Sequence, residues 1–481
     1  MGNYNINTRY KNMTPGVKAS LWFMTCSILQ KGISFSTMPI FIRLLSSGEY
    51  GDYSVFLSWE SIISIFVTLN LSYQVFNNGM VKYDKDKDSY TTSMVGLTFC
   101  AGGVAWLVYC LFNGFFQRYI ELRFEYMGLM FFDMLFTATI GLWTVRQRYE
   151  FKYKALTIVT LANTVLNPVL GVILVTTLED KVYARLVSIV ASNFLVFVIV
   201  FIALLRNSRK IISFPNWKYA LKLDLPLIPH YLSMVLLNNS DRIMISKLCG
   251  SAYTAFYSVA YNAAMVMQIV VASVNASFNP WLYQQLKEKN YSKIRKTTNY
   301  LLLLVALVTV IPVLFAPEVI LILGSEEYAS AVNIMPALSC CVFLMYIYTL
   351  FSNIEMFYER PKFIMIGSLS ATVINIILNY IFIQLFGYEA AAYTTLVCYI
   401  LLALFHYLMM VRVCKEQRIA ENIYNLHFIM ALTGGVMLIA FAISRLYSYA
   451  IIRYTILASV FLIVIIQRKK VLAFWNKMKQ E

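Results

Sequence analysis

The stretch Ala19–Ser54 reads ASLWFMTCSILQKGISFSTMPIFIRLLSSGEYGDYS, and it decides what kind of molecule the chain builds. About 27 of these residues, Ala19 to Leu45, are apolar enough to cross a bilayer at ~1.5 Å rise per residue. Lys31 falls about 12 residues into that span, near its midplane, with Gly32 and Pro39 in the same run. A lysine at such depth costs about 2.5–3.5 kcal/mol on insertion scales, so it must face a partner, a protein interior or a wet cavity. The functional reading starts from that residue.

Composition extends the reading to the whole chain. Of 481 residues, 59% are hydrophobic and 13% charged, against about 25% charged in a soluble domain. The chain is an integral membrane protein. Fourteen apolar segments of spanning length occur, at 19–45, 53–80, 91–114, 124–145, 155–177, 183–205, 223–247, 253–284, 299–323, 330–357, 363–385, 389–411, 424–444 and 448–467. Arg453 lies inside the last, and only Arg445–Tyr449 separates it from the thirteenth, so twelve spans plus a re-entrant pair is the alternative. No short apolar run with a small-residue cleavage site precedes the first span, so no cleavable signal is expected and that span stays as an anchor.

The basic residues orient these spans. With the N-terminus in the cytoplasm, thirty of the forty lysines and arginines fall on the cytoplasmic side and nine on the outer side, Arg43, Arg185, Arg242, Lys247 and Arg453 among them; Lys31 is the remaining one. Such a bias over short loops predicts that both termini are cytoplasmic. Topology thus accounts for the net charge of +16, and nucleic acid is not an expected partner. The eight cysteines show neither metal-ligand spacing nor a disulfide framework and read as small core residues. No segment outside the spans exceeds about twenty residues, too short for a soluble catalytic domain. No GxxxxGK[ST] run occurs, which removes an ATPase engine within the chain. Neither a cofactor nor a metal is expected.

An internal repeat divides the chain. Tyr53-Ser54-Val55 recurs as Tyr257-Ser258-Val259, an offset of 204, and at that offset Arg43 falls on Lys247. Both motifs follow a small-residue turn, Ser46-Ser47-Gly48 and Cys249-Gly250-Ser251. Six spans per half is an even number, so the halves enter from the same side as parallel repeats. The expected fold is all-α and polytopic, with a six-helix lobe over 1–210, a second over 211–418, and two added helices with a basic tail over 419–481.

Pro39-Ile40-Phe41-Ile42-Arg43-Leu44-Leu45-Ser46-Ser47-Gly48-Glu49-Tyr50-Gly51 resembles the "P..IR.LS..EYG" opening of bacterial polysaccharide-export flippases, the O-antigen and capsule repeat-unit translocases of the MATE-like exporter superfamily. Asn239-Ser240-Asp241-Arg242-Ile243-Met244-Ile245 followed by Tyr257-Ser258-Val259-Ala260-Tyr261 is similar to that family's "DR..I…G.Y..AY" segment. The resemblance implies two six-helix lobes in a V around a cavity, and a bacterial inner-membrane location. It also implies a polyprenyl-pyrophosphate-linked oligosaccharide as substrate, membrane lipids as surroundings, and a polysaccharide polymerase with chain-length machinery as partners. It implies a transporter, not an enzyme.

A large polar headgroup needs a wet cavity and cations for its phosphates. Lys31 is the first candidate; its bland alternative is a buried ion pair with Asp133 or Glu60 at comparable depth. Arg43 and Arg242 are further candidate cavity cations, with interfacial snorkelling the alternative for Arg43 and Lys247. Asp241 and Arg242 are adjacent and point about 100° apart on a helix, so both cannot face lipid; turned between the lobes, Arg242 would meet phosphate or gate the outer mouth and Asp241 would serve as counter-charge or coupling group, with structural pairing as the alternative. Arg146 and Arg148, with Trp143 one turn earlier, suit either anchoring or attraction of anionic headgroups at the cytoplasmic mouth. Asp224 and Glu355 are candidate proton or cation sites, with interfacial placement as the alternative. Pro226 and Pro229 predict a bend at the start of the seventh span, where His230 reads as a hydrogen-bonded packing residue. The competing functions are a cation-coupled multidrug antiporter of the same superfamily, a lipid II flippase and, as an enzyme, a polysaccharide polymerase; the polymerase would need a long outer loop that is absent here.

Overall fold

A computed structural model gives the structure and describes residues 14–73 and 75–456; among these the regular structure is helical, with no strand. In chain order the helices are α1 Pro15–Leu44, α2 Ser47–Thr68, α3 Val75–Lys82, α4 Lys87–Leu111, α5 Asn113–Ile120, α6 Phe124–Tyr149, α7 Tyr153–Thr177, α8 Lys181–Asn207, α9 Phe214–Asp224, α10 Ile228–Cys249 and α11 Ser251–Met265. They continue as α12 Met267–Lys287, α13 Tyr291–Leu314, α14 Ala316–Leu323, α15 Met335–Phe357, α16 Pro361–Phe386, α17 Ala390–Glu416 and α18 Leu426–Ser444.

Eleven helical segments are long and apolar enough to cross a membrane, against the fourteen expected, and they fall on the third to thirteenth expected spans. The first two expected spans are helical as α1 and α2 but more polar: Gln30, Lys31, Ser34, Ser36 and Thr37 break up α1, while Glu49, Asp52 and Glu60 lie along α2. The fourteenth expected span continues past Tyr454 beyond residue 456, outside the described residues. Its start is anchored. Arg453 is 2% exposed and grips both oxygens of Glu318, at 2.7 and 2.8 Å, while donating to the Leu314 carbonyl at 2.8 Å. A charge there is tolerable because its counter-charge arrives from α14.

Several spans are interrupted: the second and ninth break where an unbroken helix was expected, the eighth is divided at Val266 between α11 and α12, and the seventh bends. The second ends at Thr68, where Leu69 and Asn70 take left-handed conformations (φ 53° and 46°) before the short α3. The ninth ends at Leu314, and α14 restarts the chain with Pro317 in its first turn. The seventh bends as its prolines predict: Leu225–Leu227 forms a 3-10 turn between α9 and α10.

The turn in the opening stretch is a reciprocal cap. Ser46 Oγ accepts from the Glu49 backbone N–H at 3.3 Å, and Glu49 Oε2 accepts from the Ser46 backbone N–H at 2.7 Å. Its repeat counterpart turns at Gly250, φ 107°, a conformation that suits only glycine. Tyr53 and Tyr257 each lie in the second turn of the helix that follows, so the repeated motif occupies the same place in both hairpins.

The chain divides into two compact units, one of residues up to 258 together with 368–391, the other of 259–367 with residues from 392 onward. In the first, α7 shows how lipid inverts the soluble pattern: Ile158, Val165, Val169 and Ile173 are exposed, while Asn163 and Asn167 turn towards α8. Methionines fill its interior, Met127, Met130 and Met134 of α6 packing with Val67 and Leu186. With no hydrophobic drive between helices in lipid, close approach depends on small residues. A Cβ on Gly51 of α2 would lie 1.8 Å from the carbonyl oxygen of Ser251. In the second unit α15 is the central helix, with 83% of its apolar window buried.

Two outcomes follow from this packing. Gly51→Val forces the α2 and α11 starts apart and is expected to cost about 1–3 kcal/mol, read as a lower melting temperature in detergent. Gly48→Val, whose Cβ would meet nothing within 4 Å, serves as the control. Between α7 and α8, partial burial pushes the Asp180 carboxyl up, but the Tyr183 N–H and the Arg123 guanidinium at 2.6 Å outweigh it and hold the carboxyl below its ordinary value. A depressed folded value means that this stability is present above an unfolded value of about 3.9 and is lost as pH falls through the folded one. The gap in melting temperature between the wild type and Asp180→Asn should therefore be largest near neutral pH and close below about pH 4.

Candidate functional site

All the polar contacts described first lie within the first unit. Lys31 is exposed on α1, as are Gly32, Ser34 and Ser36, with the apolar Ile28 and Leu29 exposed beside them. It forms no ion pair among the described residues, so the pairing with Asp133 or Glu60 does not occur. Those two carboxyls are engaged with each other: Glu60 of α2 hydrogen-bonds Asp133 of α6, and Asp133 Oδ1 accepts from Asn193 Nδ2 of α8 at 2.8 Å. Lys31 is thus left facing outward from the packed interior.

The acid pair is one end of a longer network. Asn193 Oδ1 accepts from Asn163 Nδ2 at 2.9 Å, and one turn along, Asn167 Nδ2 donates to Ser192 Oγ at 3.2 Å. Asn167 Oδ1 in turn accepts from Arg185 Nη1 at 2.9 Å. Arg185 is buried; it also donates to Ser188 Oγ at 3.0 Å, and its guanidinium carbon lies 3.9 Å from the Phe41 ring centre of α1 and 5.5 Å from that of Tyr53. Arg185, Asn163, Asn167 and Asn193 were not among the expected site residues. Their signal was the spacing Asn163-x3-Asn167 opposite Ser188-x3-Ser192 in otherwise apolar spans, polar pairs one turn apart on facing helices.

A second seam joins α10 to α11 and α16. Asp241 is 1% exposed; its Oδ1 accepts from Asn379 Nδ2 at 2.6 Å and its Oδ2 from the Tyr257 hydroxyl at 2.5 Å. Asn379 also donates to Asn375 Oδ1 at 3.1 Å. Arg242 points away from Asp241, donating through Nε to Ser258 Oγ at 3.2 Å and through Nη1 to the Asn238 carbonyl at 3.2 Å. Both adjacent charges are buried, so neither faces lipid. His230 continues the seam with a 3.3 Å contact to Ser368 Oγ, a packing role as expected. Just before it, Asp224 is fully buried with no hydrogen-bond partner for either carboxylate oxygen.

Other expected residues are placed as follows. Arg146 is buried in a clamp, 2.6 Å from Asp88 and 3.1 Å from Glu150, which joins α6 to α4 and leaves it no open face. Arg148 is exposed, 5.9 Å from the Phe23 ring of α1. Arg43 is exposed in the last turn of α1. Lys247 reaches Glu121 at 3.4 Å and the Tyr119 carbonyl instead of snorkelling alone. Beside it Ser251 Oγ donates to Asp52 Oδ1 at 2.5 Å, so the tips of the α1–α2 and α10–α11 hairpins are tied together. In the second unit Glu355 is fully buried against His406, Oε1 to Nδ1 at 2.9 Å.

The described residues contain no group of three or more His, Cys, Asp or Glu side chains with metal-holding geometry. Among the described residues the site brings together the outward Lys31, the exposed Arg43 and Arg148, and the buried carboxyls Asp133 and Asp241 held by amides.

Comparison with known proteins places the fold. Among solved structures, an inward-facing MATE multidrug resistance transporter of the MOP superfamily aligns with a TM-score of 0.67 at 14% identity, covering 81% of this chain and 96% of the other. The lipid II flippase MurJ in an inward closed conformation aligns at 0.65 and 13% identity, covering 94% and 100%. "Lsg locus putative protein 1" of Haemophilus influenzae is 22% identical over 380 residues, 75% of this chain and 89% of that protein. The MatE family model matches residues 226–381. The model described as "Polysaccharide biosynthesis protein" matches residues 17–286, more than half of the chain, and the chain belongs to that family.

Proposed function

We propose that the chain is a flippase that carries a polyprenyl-pyrophosphate-linked oligosaccharide repeat unit across a bacterial inner membrane by alternating access, for surface polysaccharide synthesis. The observation that carries the reading is Lys31: an exposed cation deep in α1, without an ion pair among the described residues, inside the segment matched by the family. Pyrophosphate is the substrate group such a cation selects. Arg43 and Arg148, exposed towards opposite ends of α1, extend the cationic path, whereas Arg146 and Arg242 act as struts that hold helices together. The lobes of the motion are 1–210 and 211–418, with both termini cytoplasmic and a polymerase with chain-length machinery taking the product.

The buried carboxyls supply the coupling. Glu60 and Asp133 lie side by side with Asn193 Nδ2 of α8 donating to Asp133 Oδ1 at 2.8 Å, and in this reading a proton taken up or released by the pair is the coupling step. Asp241, Asp224 and Glu355 are the further coupling candidates. These acids also favour a second reading, a cation-coupled antiporter for cationic drugs, in which Lys31 would repel the cargo.

The deciding measurement is flipping in vesicles reconstituted with the purified chain, with lipid-linked oligosaccharide, lipid II and a cationic dye as separate cargoes, with and without ion gradients. Lys31→Ala is expected to reduce flipping of the oligosaccharide lipid about tenfold or more, the equivalent of one lost charge-assisted contact of about 1.5–3 kcal/mol. Lys31→Arg should restore most of it. Normal flipping by Lys31→Ala, or transport of the dye alone, would refute the reading. Asp133→Asn is expected to abolish the dependence on a proton gradient while leaving gradient-free exchange measurable.

A further inference from the structure

The second unit holds a cavity of about 580 Å³ at the ends of α13, α15, α17 and α18, closed over by the 417–425 connection. None of the groups assigned to transport above lies in it. Its floor is apolar, formed by Phe351, Tyr407, Met410 and Ile429. Its rim carries Arg295, Lys415 and His427, with Glu421 the single acid.

The connection that forms the rim is pinned at several points. Its start folds back through the Ile419 N–H to the Cys414 carbonyl at 2.9 Å. Arg295 holds the Asn422 carbonyl through Nε and Nη2, at 3.0 and 2.5 Å. The buried Tyr424 hydroxyl donates to the Leu350 carbonyl at 3.0 Å, and Asn425 caps α18 by accepting from the Phe428 N–H at 3.2 Å. The cavity is therefore preformed. Arg295 spends two of its five donors on Asn422 and forms no ion pair among the described residues; neither does Lys415. The nearby Glu416 is already held by Arg360 at 2.9 Å and Arg412 at 3.2 Å, so it does not neutralise the rim. Two permanent cations against one exposed carboxylate, above an apolar floor at the end of four membrane-length helices, fit an anion that carries its own hydrocarbon.

We propose that this cavity binds the headgroup phosphate of an anionic glycerophospholipid from the surrounding leaflet. Arg295 and Lys415 hold the phosphate, His427 closes the rim, and the glycerol end rests on Phe351 and Met410. The lipid so bound ties the connection ahead of the last two helices to the body of the unit. The inference does not depend on the identity of the cargo.

The test uses the full chain in nanodiscs of phosphatidylglycerol and phosphatidylcholine with matched acyl chains, followed by native mass spectrometry of retained lipid. Retained phosphatidylglycerol should exceed phosphatidylcholine about fivefold or more. Arg295→Gln also loosens the connection, so the deciding variant is Lys415→Gln with His427→Gln, which touches none of the pinning bonds and should bring the ratio near one. Lys293→Gln, a nearby lysine outside the cavity, should leave the ratio unchanged. Equal retention of the two lipids by the wild type overturns the inference, as does an unchanged ratio in the double variant or an equal loss in Lys293→Gln. If inorganic phosphate raises the melting temperature of the wild type and not of the double variant, without any headgroup preference, the site takes free phosphate and the lipid assignment falls. Because no transported cargo enters this measurement, its failure is distinguishable from failure of the flipping assay.

Discussion

Inside an apolar slab a polar side chain has no water to return to, and an unmade hydrogen bond costs several kcal/mol more than it does at a wet surface. That constraint organises this molecule. Asp133 draws in Asn193, Arg185 draws in Asn167 and Ser188, Asp241 draws in Asn379 and Tyr257, and Arg453 draws in Glu318. Each bond crosses from one helix to another or locks one turn to the next. Helix pairing is thereby specified by polar chemistry, where apolar contact alone would be nearly indifferent to register.

The same constraint separates charges locked into the packing from those that are not. Arg146, Arg242 and Arg453 have their donors directed at fixed acceptors within the protein, so moving any of them would leave buried polar groups unmet. Lys31 carries no such obligation. The acids differ from the arginines in another way: among the described residues Asp133 is held by an amide and a carboxyl and not by a cation, whereas Arg146 is clamped between Asp88 and Glu150.

Much of the helical frame was legible in the sequence because hydropathy is a local quantity. The hairpin tip at Ser46–Gly48 was legible for the same reason, since a cap is made by residues three apart. Partnerships across the chain were not. Nothing near Arg146 indicates Asp88, fifty-eight residues away, and nothing near Lys31 indicates that Asp133 already has Glu60 and Asn193. Arg185 counted as an outer-side basic residue because its span begins at about that position, yet the register of α8 against α7 turns it inward. The break at Leu69 carries no glycine or proline, so composition gave no warning of it.

The two seams of the first unit also differ in what opening them would cost. Between the hairpin tips the contacts are a serine on a carboxylate, a lysine on a glutamate and a backbone carbonyl, with Gly51 allowing the approach. Water can replace each of those polar partners, so the tip contacts alone hold the hairpins weakly, and it is the packing of α2 along α10 that holds them together. The seam of α10 with α16 is different. Asp241, Asn375, Asn379 and Thr372 are buried there, and parting them in a dry interior would strand a carboxylate.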